Sequence, residues 1–246
     1  MRTLIIGDIH NRTDLADSAI SQIPHDQVVF VGDYFDSWGD GRKQAKKTAS
    51  WLKNSLAVSN RVHLWGNHDV PYCRPSISCS GWDCRKHDAV NYILKGDDWR
   101  KLKFYVWVDG WLISHAGIHP AHIPTMILGT DQTRTFLEDQ NDRAEACLHA
   151  SAFQHWFFNC GQIRGGNDSV SGLLWLDWNY EFAGAGFNQI VGHTPDSKTP
   201  IRKFTTDASV NYCVDGLWGG VLVLDGGRPE IWIKNQASGV FQISAV

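Results

Sequence analysis

Short apolar runs alternate with segments of helical periodicity along the N-terminal part of the chain. Thr3–Ile6 is an apolar run. Thr13–Ile23 then places Leu15, Ala19, Ile20 and Ile23 at helical spacing behind expected caps at Asn11 and Thr13, and Gln27–Val31 is β-branched again. Asp40–Leu56 carries Ala45, Ala49, Leu52 and Leu56 on one face and Arg42, Lys43, Lys46 and Lys47 on the other, before a strand over Val62–Leu64. This alternation predicts parallel βαβ units. Their turns gather at the carboxyl ends of the strands, where open α/β sheets bind ligands.

The middle of the chain has a different character. Residues 71–100 read as loop-rich with one helix near Lys86–Leu94, Tyr105–Val108 and Trp111–Ser114 as a hairpin around Asp109-Gly110, and Asp131–Phe158 as mostly helical. Strands return at Leu173–Leu176, Gln189–Val191, Val210–Val214, Val221–Leu224, Ile231–Ile233 and Val240–Ile243. No repeat or linker divides the chain. The expected fold is α/β in one domain over residues 1–246, with two facing mixed sheets and helices outside. Segments at about 71–100 and 119–160 are read as insertions that rim a site.

Composition narrows the class. With 246 residues, 43% apolar and 20% charged, roughly 70–75% of the unfolded surface can be buried, which excludes disordered, collagenous and membrane-spanning classes. A net charge of −3 with no run of five like charges argues against gripping a nucleic-acid backbone, so nucleic acid and membrane partners are not expected. Leu4-Ile5-Ile6 is too short for a signal-peptide core, so a cytoplasmic location with reduced thiols is expected. Cys73, Cys79, Cys84 and His87 lie close enough to form a zinc site, but they lack paired Cys-x-x-Cys knuckles, and ordinary thiols are the better reading. Of the 26 acidic residues 22 are Asp, which means either many caps and turns or chemistry at strand ends.

Position decides between those two readings. The expected strands end at Gly7-Asp8-Ile9-His10, Gly32-Asp33-Tyr34-Phe35-Asp36, Gly66-Asn67-His68-Asp69, Ser114-His115-Ala116-Gly117 and Gly192-His193-Thr194. Each alone is ordinary turn chemistry. Together, in this order, they deliver Asp, Asn and His to one sheet edge. The ordered set resembles the calcineurin-like metallophosphoesterase superfamily, in the branch of Ser/Thr phosphoprotein phosphatases and symmetrical diadenosine tetraphosphatases, and covers residues 7 to about 216.

The resemblance implies a four-layer metallophosphoesterase fold and a two-metal hydrolase. Asp8 and His10 would bind one metal, Asp33 would bridge, and Asn67, His115 and His193 would complete the second, with Mn²⁺ expected and Fe, Zn²⁺, Co²⁺ or Mg²⁺ as alternatives. Two dications less two carboxylates leave a charge of about +2, suited to a phosphate dianion, and two metals can share a water and aim the hydroxide in line with the P–O bond. His68 would be the general acid, oriented by Asp36, with Asp69 and Asp215 in support.

The end of the pattern, Gly192-His193-Thr194-Pro195, lacks the second His of the nuclease and cyclic phosphodiesterase branches. The chain also departs from the phosphoprotein phosphatases, because Ser37 and Trp65 stand where they carry phosphate-gripping Arg. Arg164 is the first candidate to replace them, with Arg74 and Arg42 behind it. Among the 12 Trp, Trp51 and Trp156 read as packing residues, while Trp38 and Trp65 abut the motifs and could wall a nucleobase. The expected activity is a Ser/Thr-type protein phosphatase acting on phosphorylated protein or small phosphoesters. The alternative is a bis(5'-nucleosyl)-tetraphosphatase, and an inactive binding scaffold is disfavoured because every ligand is present.

Overall fold

In the computed structural model, which describes residues 1–244 apart from 78, 128, 150–153 and 217–218, the elements follow in chain order. They are β1 (Arg2–Ile6), α1 (Thr13–Gln22), β2 (Gln27–Phe30), α2 (Arg42–Ser55), β3 (Arg61–His63), α3 (Val70–Cys73), α4 (Cys84–Ile93) and α5 (Gly96–Trp99). The hairpin β4 (Tyr105–Val108) and β5 (Trp111–Ser114) precedes α6 (Thr130–His149). Then come β6 (Asn188–Val191), β7 (Arg202–Thr205), β8 (Val210–Cys213), β9 (Gly220–Asp225), β10 (Arg228–Lys234) and β11 (Phe241–Ile243).

Two mixed sheets result. One has six strands in the order β11-β10-β9-β1-β2-β3, the other five in the order β4-β5-β6-β8-β7. The parallel pairs β1/β2, β2/β3, β5/β6 and β6/β8 run through their centres, so the turns after these strands share an edge.

Strand alternation explains the layering. Ile5, Val29, Val31, Leu222 and Leu224 face Ile113, Ile190, Tyr212 and Val214 of the second sheet in one buried cluster. Their neighbours Leu4, Ile6, Val28, Phe30, Val221 and Val223 point the other way, onto Ala16 and Ala19 of α1 and Ala45, Ala49 and Leu52 of α2. Both faces are covered, which is why these strands read as continuous apolar runs.

The differences from expectation have local causes. Leu173–Leu176 is a turn, with Trp175 and Leu176 N–H both returning to the Gly172 carbonyl; Leu173, Leu174 and Leu176 are apolar because they fill the core, not because they pair. The strand β7 was missed because it is an exposed, charged edge with no alternation. Neither Asn11 nor Thr13 caps α1; Arg12 holds that position without a side-chain bond. The long helix α6 is described to His149, and Trp156–Phe158 form a 3₁₀ turn; the part of the expected helix over residues 150–153 lies outside the described residues. Trp51 and Trp156 do pack against the core. Among the described residues, no helix is long and apolar enough to cross a membrane.

One buried side chain ties the sheet to α2. His63 lies between Tyr34 Oη (2.9 Å from Nδ1) and Ser55 Oγ (2.9 Å from Nε2), stacked on Phe30 at 4.5 Å. Burial, aided by Arg61, pushes its pKa down to about 3. The unfolded chain therefore takes up a proton near pH 6.5 that the folded chain refuses. The contribution of His63 is full above pH 6.5 and is lost as pH falls toward 3. Stability measured by urea unfolding at pH 7 and pH 5 should drop by about 2 kcal/mol more in the wild type than in His63→Gln. Equal drops would show that His63 is not buried neutral.

Candidate metal centre and active site

In the turns after β1, β2 and β6, five non-glycine residues have left-handed backbone: His10 (φ 41°), Asn11 (65°), Asp33 (50°), Asp36 (63°) and His193 (67°). Such conformations cost on the order of 1 kcal/mol each and persist only where surroundings impose them. Here the buried Asp69 carboxylate accepts the N–H groups of Asp33 (2.8 Å), Tyr34 (2.9 Å) and Gly66 (2.9 Å), binding the turn after β2 to the turn after β3. The Asp33 carbonyl in turn accepts from Ile9 (3.0 Å) and His10 (2.7 Å), drawing in the turn after β1. A side chain at Gly66 would overlap the Asp33 carboxylate, and one at Gly192 would overlap that of Asp8.

This scaffold brings the six sequence-predicted ligands together. Ligand atoms of Asp33, His115 and His193 all lie within 4.8 Å of one another, as do those of Asp8, His10 and Asp33, so Asp33 belongs to both sets. Asn67 joins the first: its Oδ1 is 2.9 Å from both His115 Nε2 and His193 Nδ1. Its Nδ2 donates to Cys79 Sγ at 3.4 Å, which orients the amide. Both His10 and His115 present Nδ1 to a backbone carbonyl, Phe35 and Val31 respectively, each at 2.9 Å. A carbonyl only accepts, so Nδ1 carries the hydrogen and Nε2 faces the cluster as a lone pair. His115 Nε2 meets His193 Nδ1 at 3.2 Å and Asp33 Oδ2 at 3.5 Å. Acceptors crowded on one point, with no thiolate among them, fit a hard or borderline divalent cation.

Electrostatics sorts the histidines. Burial pushes the pKa of His115 down and that of His193 well below normal, the latter helped by His115 and Arg164; both are neutral, as ligands must be. His68 is the opposite: burial opposes its charge, but Asp33 and the Asp36 hydrogen bond outweigh it and hold the imidazole well above its usual pKa. Burial raises the Asp33 carboxyl, yet His115, His68 and His10 bring it below normal overall. The Asp8 carboxyl is pushed well up by burial, Asp215 and Asp33, and Asp215 is raised to about 6, chiefly by burial. This concentration of buried carboxylates is what bound cations would relieve.

His68 sits beside the two donor sets, its ring 5.2 Å from that of His10 and its Nδ1 3.3 Å from Asp36 Oδ2. Asp36 Oδ1 accepts from Tyr72 Oη (2.6 Å) and from Lys86 Nζ (2.6 Å), and Lys86 also reaches Asp40 Oδ1 at 2.8 Å. Lys86 is only 1% exposed. It was missed, although a signal existed: it shares the buried face of α4 with Ala89 and Val90, where helical spacing calls for an apolar residue.

The arginine candidates separate. Arg164 Nη2 is 2.9 Å from both Asp177 Oδ2 and Thr194 Oγ1, so it buttresses the turn after β6. Arg74 donates to the Cys147 and Leu148 carbonyls, and Arg42 is exposed on α2. Arg12, not singled out from sequence, lines a pocket of about 500 Å³ with His10, Asp36, Trp38 and His68. Burial lowers its pKa to about 10, which leaves it charged at neutral pH. Trp65 does not wall this pocket; it is 2% exposed and stacked on Trp99 at 5.5 Å, whereas Trp38 is fully exposed at the pocket. All six cysteines are free, and Cys73, Cys79, Cys84 and His87 do not form a convergent ligand group among the described residues.

Comparison with known proteins agrees with this geometry. The family model described as calcineurin-like phosphoesterase matches residues 1–214. A cold-active protein-tyrosine phosphatase of a psychrophilic Shewanella species has the same fold: TM-score 0.64, 16% identity, 98% of this chain and 80% of that chain covered. A second structure described as a cold-active protein tyrosine phosphatase gives TM-score 0.62 at 17% identity over 98% and 78%. A protein serine/threonine phosphatase from Saccharomyces cerevisiae is also found, with TM-score 0.49 and 14% identity over 100% and 80%. No curated protein matches the chain.

Two measurements test the site. Metal analysis after loading with Mn²⁺ should find two ions per chain in the wild type, about one in His193→Ala and fewer still in Asp33→Asn; unchanged content in Asp33→Asn would refute a shared ligand. Lys86→Met leaves Asp36 and Asp40 buried without their cation, so urea unfolding should show a loss of about 3–5 kcal/mol.

Proposed function

The chain belongs to the calcineurin-like phosphoesterase family, and from that premise we propose that it is a metal-dependent phosphatase acting on phosphoserine and phosphothreonine in proteins. The family implies divalent metal ions. In this reading Asp8 and His10 hold one ion, Asn67, His115 and His193 the other, and Asp33 both, with Mn²⁺ as the native metal. Bound there, two dications would neutralise a phosphate dianion and activate a water for in-line attack. The rest of the reaction falls to the chain's own groups.

The observation that carries the proposal is the placement of His68. Its backbone N–H donates to Asp33 Oδ1 at 2.8 Å, which locks it to the shared ligand, while Asp36 holds Nδ1. Its other nitrogen, Nε2, is thus the one to give a proton to the departing oxygen. The Asp36 hydrogen bond favours the protonated ring despite its burial. A phenolate, with a pKa of about 10, departs with little help, whereas an aliphatic alkoxide is far more basic and needs that proton. A strongly held acid therefore favours serine and threonine esters.

Tyr72 and Lys86 fix the Asp36 carboxylate, so that it orients His68 without taking its proton. Arg12 supplies, in this proposal, the guanidinium missing at Ser37 and Trp65, and Arg164 contributes through the His193 turn. The exposed Trp38 favours a second reading, hydrolysis of dinucleoside polyphosphates with a base stacked on the indole.

Metal-stripped protein, with and without Mn²⁺, separates the readings on p-nitrophenyl phosphate, phosphothreonine and phosphotyrosine peptides, a cyclic nucleotide and diadenosine tetraphosphate. Mn²⁺-dependent turnover of the monoesters is expected, highest for phosphothreonine peptide. No turnover of any substrate would end the enzyme reading, and preference for the dinucleotide would replace the first with the second. In His68→Asn, kcat on the phosphothreonine peptide should fall about 10²–10⁴-fold, with a much smaller loss on p-nitrophenyl phosphate and unchanged metal content. Equal losses on both would remove His68 as the acid.

A further inference from the structure

The pocket beside His68 does not end at Trp38. A second, open groove of about 760 Å³ runs from Ser37 along the start of α2 to Lys47. It shares Ser37, Trp38, Gly39 and Asp40 with the pocket that holds His10, Arg12 and His68, so the two are continuous. The groove is lined by Arg42, Lys43 and Lys47, all exposed. The helix α2 carries five cations and no acid. Two of them are engaged elsewhere: Lys46 lies over the Tyr92 ring at 5.2 Å, and Lys53 pairs with Asp98 at 3.1 Å. The three that remain are the ones facing the groove, and none has an ion-pair or hydrogen-bond partner among the described residues.

The acid in this groove is partly offset. Asp40 is bound by Lys86, which it shares with Asp36, at 2.8 Å and by Asn11 Nδ2 at 2.7 Å, which weakens its repulsion of an incoming anion. In a chain of net charge −3 this face is a local reversal of sign, and it abuts the reaction pocket.

We propose that this groove seats an acidic stretch of the substrate polypeptide next to the phosphorylated residue. The inference rests on the protein-phosphatase reading and names its substrate class. Lys43 and Lys47 stand one helical turn apart, roughly 6 Å along the axis, and an extended peptide advances about 3.3 Å per residue, so alternate acidic side chains meet both. Trp38 offers an apolar plate at the junction of the pocket and the groove, where the residue beside the phosphorylated one passes. Arg and Lys side chains also bind phosphates and base edges, so a polyphosphate is the competing occupant that the test separates.

The test uses the Mn²⁺-loaded full chain and three phosphothreonine peptides, identical except for Glu, Ala or Lys at the two to three positions on each side of the phosphorylated residue. At low salt kcat/KM should be about five-fold higher for the Glu than for the Ala peptide, the size of two exposed ion pairs, with the difference in KM and fading as salt is raised. Lys43→Glu/Lys47→Glu should abolish or invert the order while kcat on p-nitrophenyl phosphate stays at the wild-type value. Equal kcat/KM for the three peptides, or a Glu preference that survives the double substitution, would overturn the proposal alone. Turnover of p-nitrophenyl phosphate with none of any peptide would overturn the protein-phosphatase reading and the groove's role with it. Diadenosine tetraphosphate serves as a fourth substrate: if it is turned over faster than every peptide, and the double substitution slows only it, the groove binds a polyphosphate and the proposal falls.

Discussion

The site depends on a carboxylate that belongs to neither set of candidate metal donors. Asp69 accepts three backbone N–H groups from two separate turns, and without it neither the left-handed Asp33 nor the close approach of Gly66 has anything to hold it. Three hydrogen bonds to one buried carboxyl group, at about 0.5–1.5 kcal/mol each even without charge, are of the size needed to offset several strained residues. Everything nearer the chemistry is referenced to that junction. Asp33 reaches both ligand sets from it, the Asp33 carbonyl anchors the turn bearing His10, and the Asp33 side chain takes the N–H of His68.

Buried charge is the second constraint, and the site meets it in two ways. Asp8, Asp33 and Asp215 face one another with neutral imidazoles, an arrangement that calls for external cations. Asp36 and Asp40 instead receive an internal cation, Lys86, with Tyr72 and Asn11 completing their hydrogen bonds. The division matters for catalysis. In the proposed reaction the carboxylates that would bind metal are left open, and the one that would orient the acid is closed off with fixed donors. It is also why Asp40 can line a cationic groove without cancelling it.

The Asp surplus thus has two origins. Many Asp residues are ordinary structural punctuation: Asp83 caps α4 through the N–H groups of Arg85 and Lys86, and Asp177 and Asp196 close turns on the N–H groups two and three residues ahead. Asp139 does neither, pairing with Arg143 within α6 at 3.0 Å. Asp8, Asp33, Asp36, Asp40, Asp69 and Asp215 stand at the candidate metal centre or brace it.

The sequence by itself determined the layers and which residues meet at the candidate metal centre. Apolar runs of β1, β2 and β9 and the helical faces of α1 and α2 are local patterns imposed by burial on both sides of a sheet. The Asp, Asn and His at strand ends follow because parallel strands must all release their chains at one edge. It could not show β7, whose pairing comes from its neighbour and not from its own pattern, nor that Leu173–Leu176 is buried without being a strand, since burial and pairing leave the same apolar signature. Lys86, Arg12 and the split between a packed Trp65 and an exposed Trp38 were decided only in three dimensions. A lone Arg or Trp carries no pattern, and a Lys on an apolar helix face signals burial without naming its partner. Its role is set by which distant charges and surfaces the fold brings against it, and those contacts cross more sequence than any local period records.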